Sequence, residues 1–432
     1  MECIVYLMFN EESLAVVSAS QFNPYFTRPI YDSYAFARIP DTIRSLLTGQ
    51  DGAGALPPRT LAHLPRRYNK VILILIDAFG WRFLQRFVDD YPFLRRIASE
   101  GVISKLTSQF PSTTAAHVTT IHTGLPVGES GVYEWFFYEP TLDAMIAPLM
   151  FSFAGDRARN TLQRAGVHPR TLYPRRTFYQ SLKDAGVRSY VFQNRLYTPS
   201  PYSDAVFDGA QTIPYQTVSE ALTNLTDLVI REEALAYFFL YFDGIDALAH
   251  SYGPDSPQMA AEVDTFVTAL ERLLHNALEG HVTDTLLLIT ADHGQVEVNP
   301  ETTIYLNQTM PALEGYLKTN RKGQLLVPAG SARDMFLHIR PEYLDDAFYS
   351  LTRHLDGRAE VHRVADLIRE GFFGGVISET FRGRVADLVI LPYRHEAVWW
   401  YEKGRFEQGF HGHHGGLTPD EMETVLLAYP YL

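Results

Sequence analysis

The sequence predicts an α/β fold in which helices sandwich a mostly parallel central sheet, with a smaller α+β subdomain inserted. Continuous apolar runs without polar alternation, such as VILILI at 71–76, are typical of strands buried on both faces of a parallel sheet. Helical patterns lie between these runs. In the clearest, at 257–278, apolar residues recur at intervals of three and four. Alternating strands and helices form an α/β sandwich.

The same apolar signature marks the other predicted central strands. They lie at 189–192, 234–242, 285–290 and 386–393, and the first of these is the weakest. Strands of this kind are accompanied by helices on both sides of the sheet. Shorter strand-like pieces at 301–385 break the rhythm, including a strand predicted at 334–339 and a helix predicted near 341–354.

These elements divide the chain into three parts. Residues 1–69 alternate only weakly and contain the loop-like segment GQDGAGALPPRT, so we predict an N-terminal extension that packs on the core. Residues 70–300 and 386–432 are predicted to form the α/β core, and residues 301–385 the inserted subdomain.

Composition indicates a folded protein and excludes several classes. Hydrophobic residues make up 46% and charged residues 20%, close to the globular average. A net charge of -13 gives no general attraction for nucleic-acid polymers or anionic membranes. The single cysteine, Cys3, excludes an internal disulfide framework, so metal ligands must be His or carboxylate. The first residues lack a basic n-region and no apolar run spans a bilayer, so we expect a cytoplasmic location.

Polar residues follow the predicted strands, at the edge where open parallel sheets bind ligands. Asp77 directly follows the strand at 71–76. The segment DALAH places Asp246 and His250 four apart, so that both face one side of a helix and can share a cation. The segment ADHG puts Asp292 and His293 side by side at a strand end. Each has an ordinary alternative when considered alone, such as a helix N-cap for Asp77.

A histidine-rich loop lies near the C-terminus. In GFHGHHGG, His411, His413 and His414 stand among four glycines, whose backbone can approach a ligand closely. A flexible surface turn is the alternative interpretation. Imidazole and carboxylate ligands together suit zinc, with manganese as the next candidate.

The segment 108–132 predicts a helix that begins at Thr113 or Thr114 and ends near Gly124. A hydroxyl at a helix N-terminus lies where backbone N–H groups and the helix dipole favour a phosphate. A nearby cation would make that hydroxyl a nucleophile. An ordinary Ser/Thr cap is the alternative.

In this order the five motifs resemble the alkaline-phosphatase superfamily, specifically its type I phosphodiesterase/nucleotide pyrophosphatase branch. The resemblance covers residues 71–416. It implies two divalent metal ions, with zinc as the first candidate and manganese as the alternative. Counting back from Thr123 and Gly124 selects Thr114 as the nucleophile, and the position before the glycine pair selects His414 among the three histidines. By resemblance, the first metal would be held by Asp246, His250 and His414, and the second by Asp77, Asp292 and His293 with Thr114 beside it.

The resemblance also implies the reaction. It is the hydrolysis of a small phosphodiester or nucleotide through a covalent phospho-threonine intermediate, which water then hydrolyses. Three alternatives stay open: a phosphonate hydrolase of the phosphonoacetate type, a phosphomonoesterase on the same site, and a catalytically silent binding protein. The oligomeric state is not predicted.

The sequence departs from this branch at Trp135. Relatives carry an Asn at the corresponding position, where it contacts a phosphate oxygen, whereas here the segment reads ESGVYEWFFY. Trp135 would instead bind substrate by stacking on a base or aryl group, and filling core space is the alternative. No Arg lies between Leu106 and Asp156, which favours diesters over monoesters.

Overall fold

A computed structural model of the chain describes residues 9–50 and 52–432, so Cys3 lies outside the described residues. The strands are β1 Lys70–Ile76, β2 Val102–Thr107, β3 Phe137–Glu139, β4 Ala144–Ala147, β5 Ser152–Phe153, β6 Arg188–Asn194, β7 Gln211–Tyr215, β8 Ala236–Phe242, β9 Thr285–Thr290, β10 Val296–Glu297, β11 Ile304–Tyr305, β12 Met335–Leu337, β13 Ala359–Arg363, β14 Leu388–Pro392, β15 Val398–Trp399, β16 Gly412–His413 and β17 Glu423–Tyr431.

The helices surround and connect these strands. They are α1 Glu11–Ala19, α2 Ile39–Thr48, α3 Trp81–Phe87, α4 Pro92–Glu100, α5 Thr114–Thr123, α6 Val127–Ser130, α7 Thr161–Arg164, α8 Phe178–Asp184, α9 Pro201–Val206, α10 Val218–Arg231, α11 Gly244–Tyr252, α12 Pro257–Ala269, α13 Asn276–Leu278, α14 Leu306–Thr309, α15 Leu344–His354, α16 Val364–Arg369, α17 Glu379–Arg384 and α18 Pro419–Met422.

Within the described residues, the central sheet has seven strands in the order β2-β17-β9-β1-β8-β6-β7. β1 pairs in parallel with β8 and β9. Within this sheet, β17 is antiparallel to both of its neighbours, β2 and β9, and the other pairs are parallel. Alternate side chains of β1 enter two different apolar clusters, which explains its continuous apolar sequence. The prediction of a mostly parallel sheet between helices is confirmed.

Two strands next to each other in the sheet, β2 and β17, were not predicted from the sequence. In β2 the apolar run is interrupted by Ser104 and Lys105, both of which are buried. Lys105 reaches Glu423 at the start of β17, with Nζ 2.7 Å from the carboxylate, and this ion pair accompanies the antiparallel pairing of the two strands. Because Lys105 interrupts the apolar run of β2, a search for continuous apolar runs does not find this strand.

The strand predicted at 386–393 exists as β14, but its predicted place in the central sheet is wrong. β14 lies between β12 and β13 in a small antiparallel sheet. Its side chains alternate between the main apolar cluster and a separate one, so it is buried on both faces, as a central parallel strand would be. The division into core and insertion stays a prediction, and an insertion ending at 385 would separate β14 from both partners.

The N-terminal segment packs on the core. The backbone N–H of Asn10 donates to the carbonyl of Ile103 in β2 at 2.8 Å. Ile39, Ile43 and Leu47 of α2 are fully buried in the main apolar cluster. In the described part of the chain, no helix is both long and apolar enough to cross a membrane. The cytoplasmic location stays a prediction.

Candidate metal centre and nucleophile

The carboxyl ends of β1 and β9 bring Asp77, Asp292 and His293 together. β1 ends one residue before Asp77, and the Ala78 N–H donates to Asp292 Oδ1 at 3.1 Å, which joins the two strand ends. His293 Nε2 lies 3.4 Å from Asp77 Oδ1 and 3.4 Å from Asp292 Oδ2. All three side chains are buried, and their ligand atoms are close enough to hold one metal ion.

A second group lies beside the first. On α11, His250 Nε2 is 3.4 Å from Asp246 Oδ1, and His414 Nε2 is 3.7 Å from the same oxygen. Asp246, His293 and His414 also satisfy the geometry of a metal site. The rings of His293 and His414 stack with centroids 3.7 Å apart, so the two groups adjoin and His293 contacts both.

The three histidines share one hydrogen-bonding pattern. Each Nδ1 faces a backbone carbonyl: His250 that of Gly412 at 2.7 Å, His293 that of Gly294 at 3.0 Å, and His414 that of Ser112 at 2.9 Å. Because a carbonyl only accepts, Nδ1 carries the proton and Nε2 keeps its lone pair. This is the arrangement that orients an imidazole for metal ligation.

The carboxylates are held in an environment that disfavours their charge. Burial raises the pKa of Asp77 well above its usual range, the charges of Asp292 and Asp246 raise it further, and the Tyr241 hydrogen bond lowers it. Burial raises the pKa of Asp292 to about 7. Asp292 Oδ2 is buried with no hydrogen-bond partner among the described residues. An unsatisfied buried carboxylate oxygen is costly, and a divalent cation would satisfy it. The donor set therefore fits a metal.

Thr114 begins α5, as one of the two predicted helix starts. Its Oγ1 lies 3.2 Å from His293 Nε2 and 3.3 Å from Asp77 Oδ2. The preceding residue, Thr113, makes no side-chain cap, so its hydroxyl does not occupy the first N–H groups of the helix. A hydroxyl thus lies at a helix N-terminus and beside a candidate metal group, where a phosphate is favoured.

A sequence model of type I phosphodiesterases / nucleotide pyrophosphatases matches residues 71–417. The chain belongs to this family. The resemblance drawn from the five motifs is confirmed. The match begins at β1 and ends after the histidine-rich loop, so it contains every residue of the two candidate metal groups.

Individual members of the phosphodiesterase family are distant in sequence. Ectonucleotide pyrophosphatase/phosphodiesterase family member 7 of Homo sapiens is 28% identical over 235 residues, covering 54% of this chain and 49% of that protein. Family member 5 of Homo sapiens is 24% identical over 264 residues, covering 59% and 50%. The chain spans about half the length of these curated relatives.

Solved structures share the fold. Murine ectonucleotide pyrophosphatase/phosphodiesterase 5 has a TM-score of 0.63 and 18% identity, covering 84% of this chain and 88% of that one. An inactive variant of the murine protein in complex with AMP gives a TM-score of 0.63 at 17% identity, with the same coverage. Phosphonoacetate hydrolase from Sinorhizobium meliloti, in complex with phosphonoacetate, has a TM-score of 0.59 and 16% identity, covering 84% and 90%.

In this member of the family, the structure separates the three loop histidines. His414 alone belongs to a candidate metal group. His413 is buried 5.4 Å from the His250 ring, and its Nδ1 is occupied by the backbone of His414. His411 is exposed. The arrangement supports the selection of His414.

Two supporting residues were missed in the sequence. Tyr241 donates its hydroxyl to Asp77 Oδ2, and Gln295 Nε2 donates to the carboxylate of Asp246 and to its carbonyl at 3.2 Å. Tyr241 lies inside an apolar strand, where a buried hydroxyl needs a partner. Gln295 follows the ADHG motif by one residue. Both residues could have been found in the sequence. Tyr241 is a polar residue within a predicted buried strand, and Gln295 directly follows predicted ligands.

Two cavities meet at Thr114. The larger has a volume of about 390 Å³. It is lined by Thr114 and by five aromatic residues, namely Trp135, Phe136, Trp399, Phe406 and Phe410. The smaller, of about 200 Å³, is lined by Tyr197, Tyr202 and Arg159 among others. Thr114, Asp246 and Trp135 line both. Trp135 is 36% exposed, so the structure places its ring at the cavity wall and not in the core.

Proposed function

We propose that the chain is a metal-dependent hydrolase of small phosphodiesters or nucleotides that acts through Thr114. One observation carries the proposal: the Thr114 hydroxyl lies at the start of α5, against a candidate metal group, where two cavities meet. A phosphodiester has two substituents, so a phosphorus atom beside Thr114 could place one in each cavity. Membership of the phosphodiesterase family supports this interpretation.

The ligand sets inferred from the motifs account for two ions, zinc or alternatively manganese. Asp246, His250 and His414 would hold one, and Asp77, Asp292 and His293 the other, with the Thr114 oxygen beside it. When bound, two divalent cations stabilise charge on the attacking and leaving oxygens and lower the pKa of a nearby hydroxyl.

Thr114, the N-terminus of α5 and Trp135 then have separate roles in the reaction. Thr114 Oγ1 loses its proton and attacks phosphorus, the bond to the leaving oxygen breaks, and a phospho-threonine that still carries the second substituent forms, while the leaving oxygen takes up a proton and departs as the first alcohol. Water hydrolyses the phospho-threonine, which releases a phosphomonoester and restores the hydroxyl. The N–H groups and dipole of α5 favour the phosphate throughout, and positioning supplies much of the rate. Trp135 would bind a substituent by stacking.

The test compares hydrolysis of bis(p-nitrophenyl) phosphate by the zinc- or manganese-loaded protein, Thr114→Ala and Thr114→Ser. We expect the alanine variant to fall to background because the nucleophile is lost, and the serine variant to keep measurable activity because it retains a hydroxyl. EDTA is expected to abolish the activity of the wild type. Wild-type activity in Thr114→Ala would disprove the covalent route.

Metal content separates the enzyme from a silent binding protein. Fewer than one metal ion per chain after purification, unchanged by added zinc or manganese, would favour the silent alternative. The phosphonate alternative draws support from the solved phosphonoacetate hydrolase, and release of phosphate from phosphonoacetate would decide for it. Faster cleavage of p-nitrophenyl phosphate than of the diester would decide for a monoesterase. A small-molecule substrate remains the expectation, with no binding of nucleic-acid polymers.

A further inference from the structure

Glu134 is a buried carboxylate that the proposed mechanism does not use. It precedes β3 and lines the larger cavity together with Thr113 and Thr114, yet its side chain is fully buried. Oε2 accepts the backbone N–H of Trp135. Oε1 is buried and has no hydrogen-bond partner in the described part of the chain. Glu134 therefore brings a carboxylate with an unpartnered oxygen into the wall of the cavity that contains the nucleophile, and burial raises the pKa of this carboxyl to about 7.

A second buried acid, Asp334, stands near Glu134. Its Oδ1 accepts the N–H of Ser331 at 3.0 Å and the Ser331 hydroxyl, while Oδ2 has no partner among residues 9–50 and 52–432. Burial raises the pKa of Asp334 well above its usual range, and the charge of Glu134 raises it further, which indicates that the two groups interact. Asp334 therefore brings no positive charge that would stabilise the ionised form of Glu134.

Two nearby arginines, Arg405 and Arg333, are engaged elsewhere, and Arg159 lines only the smaller cavity. Arg405 lines the same cavity, but its guanidinium is paired with Glu402 and donates to the Ala154 carbonyl at 2.9 Å. Arg333 is fully buried and paired with Glu421 at 2.9 Å. Across the described residues, no Lys or Arg forms an ion pair with Glu134 or Asp334.

We propose that Glu134 is a specificity residue that selects phosphodiesters against phosphomonoesters through its negative charge. The inference rests on the proposed function. A diester carries one negative charge, whereas a monoester carries close to two above its second pKa of about 6. Where a monoester has its additional anionic oxygen, a diester has an uncharged ester oxygen. A carboxylate in the wall of the cavity that Thr114 also lines repels the dianionic monoester more strongly than the monoanionic diester.

Charge balance in the site points the same way. Two divalent cations would bring four positive charges, and Asp77, Asp246 and Asp292 would return three. One positive charge then remains for the phosphate, together with the partial charge of the α5 N-terminus. Counting ionised Glu134 as well brings the sum to zero, so a bound dianion leaves twice the excess negative charge that a monoanionic diester leaves.

Glu134→Gln separates this role from a structural one. Gln has nearly the same shape, its side-chain oxygen can still accept the Trp135 N–H, and only the charge is lost. Glu129→Gln is the matched control, because Glu129 lies five residues earlier, in α6, and lines neither of the two cavities at Thr114. Asp334→Asn is a second variant that replaces the acid behind Glu134 with an amide.

The experiment measures kcat/KM for p-nitrophenyl phosphate and bis(p-nitrophenyl) phosphate with metal-loaded proteins at about pH 8, where a monoester is dianionic. In Glu134→Gln we expect the monoester-to-diester ratio to rise at least about tenfold. Asp334→Asn is expected to raise it less, and Glu129→Gln to leave it unchanged. An unchanged ratio in folded, metal-loaded Glu134→Gln overturns the inference and leaves the proposed function intact.

A binding measurement keeps the two failures distinguishable. Calorimetric titration of the metal-loaded proteins with inorganic phosphate and with dimethyl phosphate needs no turnover. We expect Glu134→Gln to bind phosphate at least about tenfold more tightly and dimethyl phosphate equally. Absence of diester cleavage by the wild type would disprove the proposed function, whereas equal phosphate affinity in wild type and Glu134→Gln would disprove the charge selection. Should Glu134→Gln not fold, Glu134→Ala decides, because it also removes the charge, and unchanged phosphate affinity there overturns the inference.

Discussion

Gln295 shows how a single residue outside the ligand set controls the candidate metal centre. Its Nε2 donates to Asp246, while its own Oε1 is buried without a partner among the described residues. The amide therefore fixes the rotamer of Asp246 and holds the carboxylate toward His250 and His414. Neighbours that orient a ligand in this way contribute to metal affinity without touching the ion.

We predict that Gln295→Ala weakens zinc binding by about 10- to 100-fold, because Asp246 loses the donor that orients it. Gln295→Glu is expected to be worse, since a second carboxylate would face the first. Competition with a chromophoric chelator measures the affinity. Gln163→Ala, at an exposed position in α7, is the control and should bind zinc as the wild type does. Wild-type affinity in Gln295→Ala would mean that the backbone alone positions Asp246.

Residue identity explains which parts of the site could be predicted. Asp77 and Asp292 follow apolar strands directly, and His250 stands at helical spacing from Asp246, so type and position together indicated ligands. Glu134 carries no comparable signal. It lies within ESGVYEWFFY, and the role proposed for it depends on the cavity that it lines with Thr114 and on Asp334, which is 200 residues away in sequence and near it only in the fold.

At the scale of elements, a short two-stranded ribbon connects the ligands. β10 follows the Asp292-His293 pair and β16 leads into His414, with Val296 opposite His413 and Glu297 opposite Gly412. The Gly412 carbonyl accepts from His250 Nδ1, so the ribbon also fixes a ligand on α11. A Cβ at Gly412 would lie 2.4 Å from the Ala249 carbonyl oxygen and 2.4 Å from Gln295 Oε1.

We predict that Gly412→Ala lowers zinc affinity at least about tenfold, because the new methyl group forces apart the ribbon and α11 and shifts His250. Chelator competition and metal content after dialysis measure the loss. Gly409→Ala lies in the same loop, where a Cβ would meet nothing within 4 Å, and should behave as the wild type. Equal affinity in the two variants would show that the ribbon yields without moving the ligand.

β14 shows the limit of prediction for elements. Its apolar run is as continuous as that of β1, yet it belongs to a three-stranded antiparallel sheet. A strand buried on both faces has the same sequence pattern in either sheet, because burial selects side chains regardless of strand direction. Only the pairing partners distinguish the two, and those are set by contacts distant in sequence.

At the scale of the whole molecule, the fold places carboxylates where their negative charge is unfavourable unless a metal ion is bound. The ends of β1 and β9 and the start of α11, which follows β8, bring together three carboxylates, of which Asp77 and Asp292 are buried and Asp246 is half-buried. Their charged forms are disfavoured by burial, so part of the folding free energy is lost when they ionise. In a parallel sheet the carboxyl ends of the strands lie at the same edge. The general position of the site could therefore be predicted from the polar residues that directly follow the strands.

The cost of ionising a buried carboxylate can be measured at Asp292, through the pH dependence of the free energy of unfolding. Burial raises its pKa in the folded state to about 7, from an ordinary value of 3.8. Between these values the folded protein holds more protons than the unfolded chain, so the free energy of unfolding of the metal-free protein falls as pH rises. The contribution is most favourable below the unfolded pKa and is lost by about pH 7.

We therefore predict that, without metal, Asp292→Asn has a higher thermal midpoint than the wild type, and that its advantage grows between about pH 5 and about pH 8. Asn can still accept the N–H groups of Ala78 and His293, so the variant removes the charge and keeps the contacts. Scanning calorimetry in EDTA measures both proteins. Excess zinc should reverse the order near pH 8, since an ion held about 100-fold above its dissociation constant stabilises the wild type by ~2.7 kcal/mol and binds the variant more weakly. A wild type that is the more stable protein in EDTA at every pH would show that Asp292 is compensated by the protein itself, without a metal.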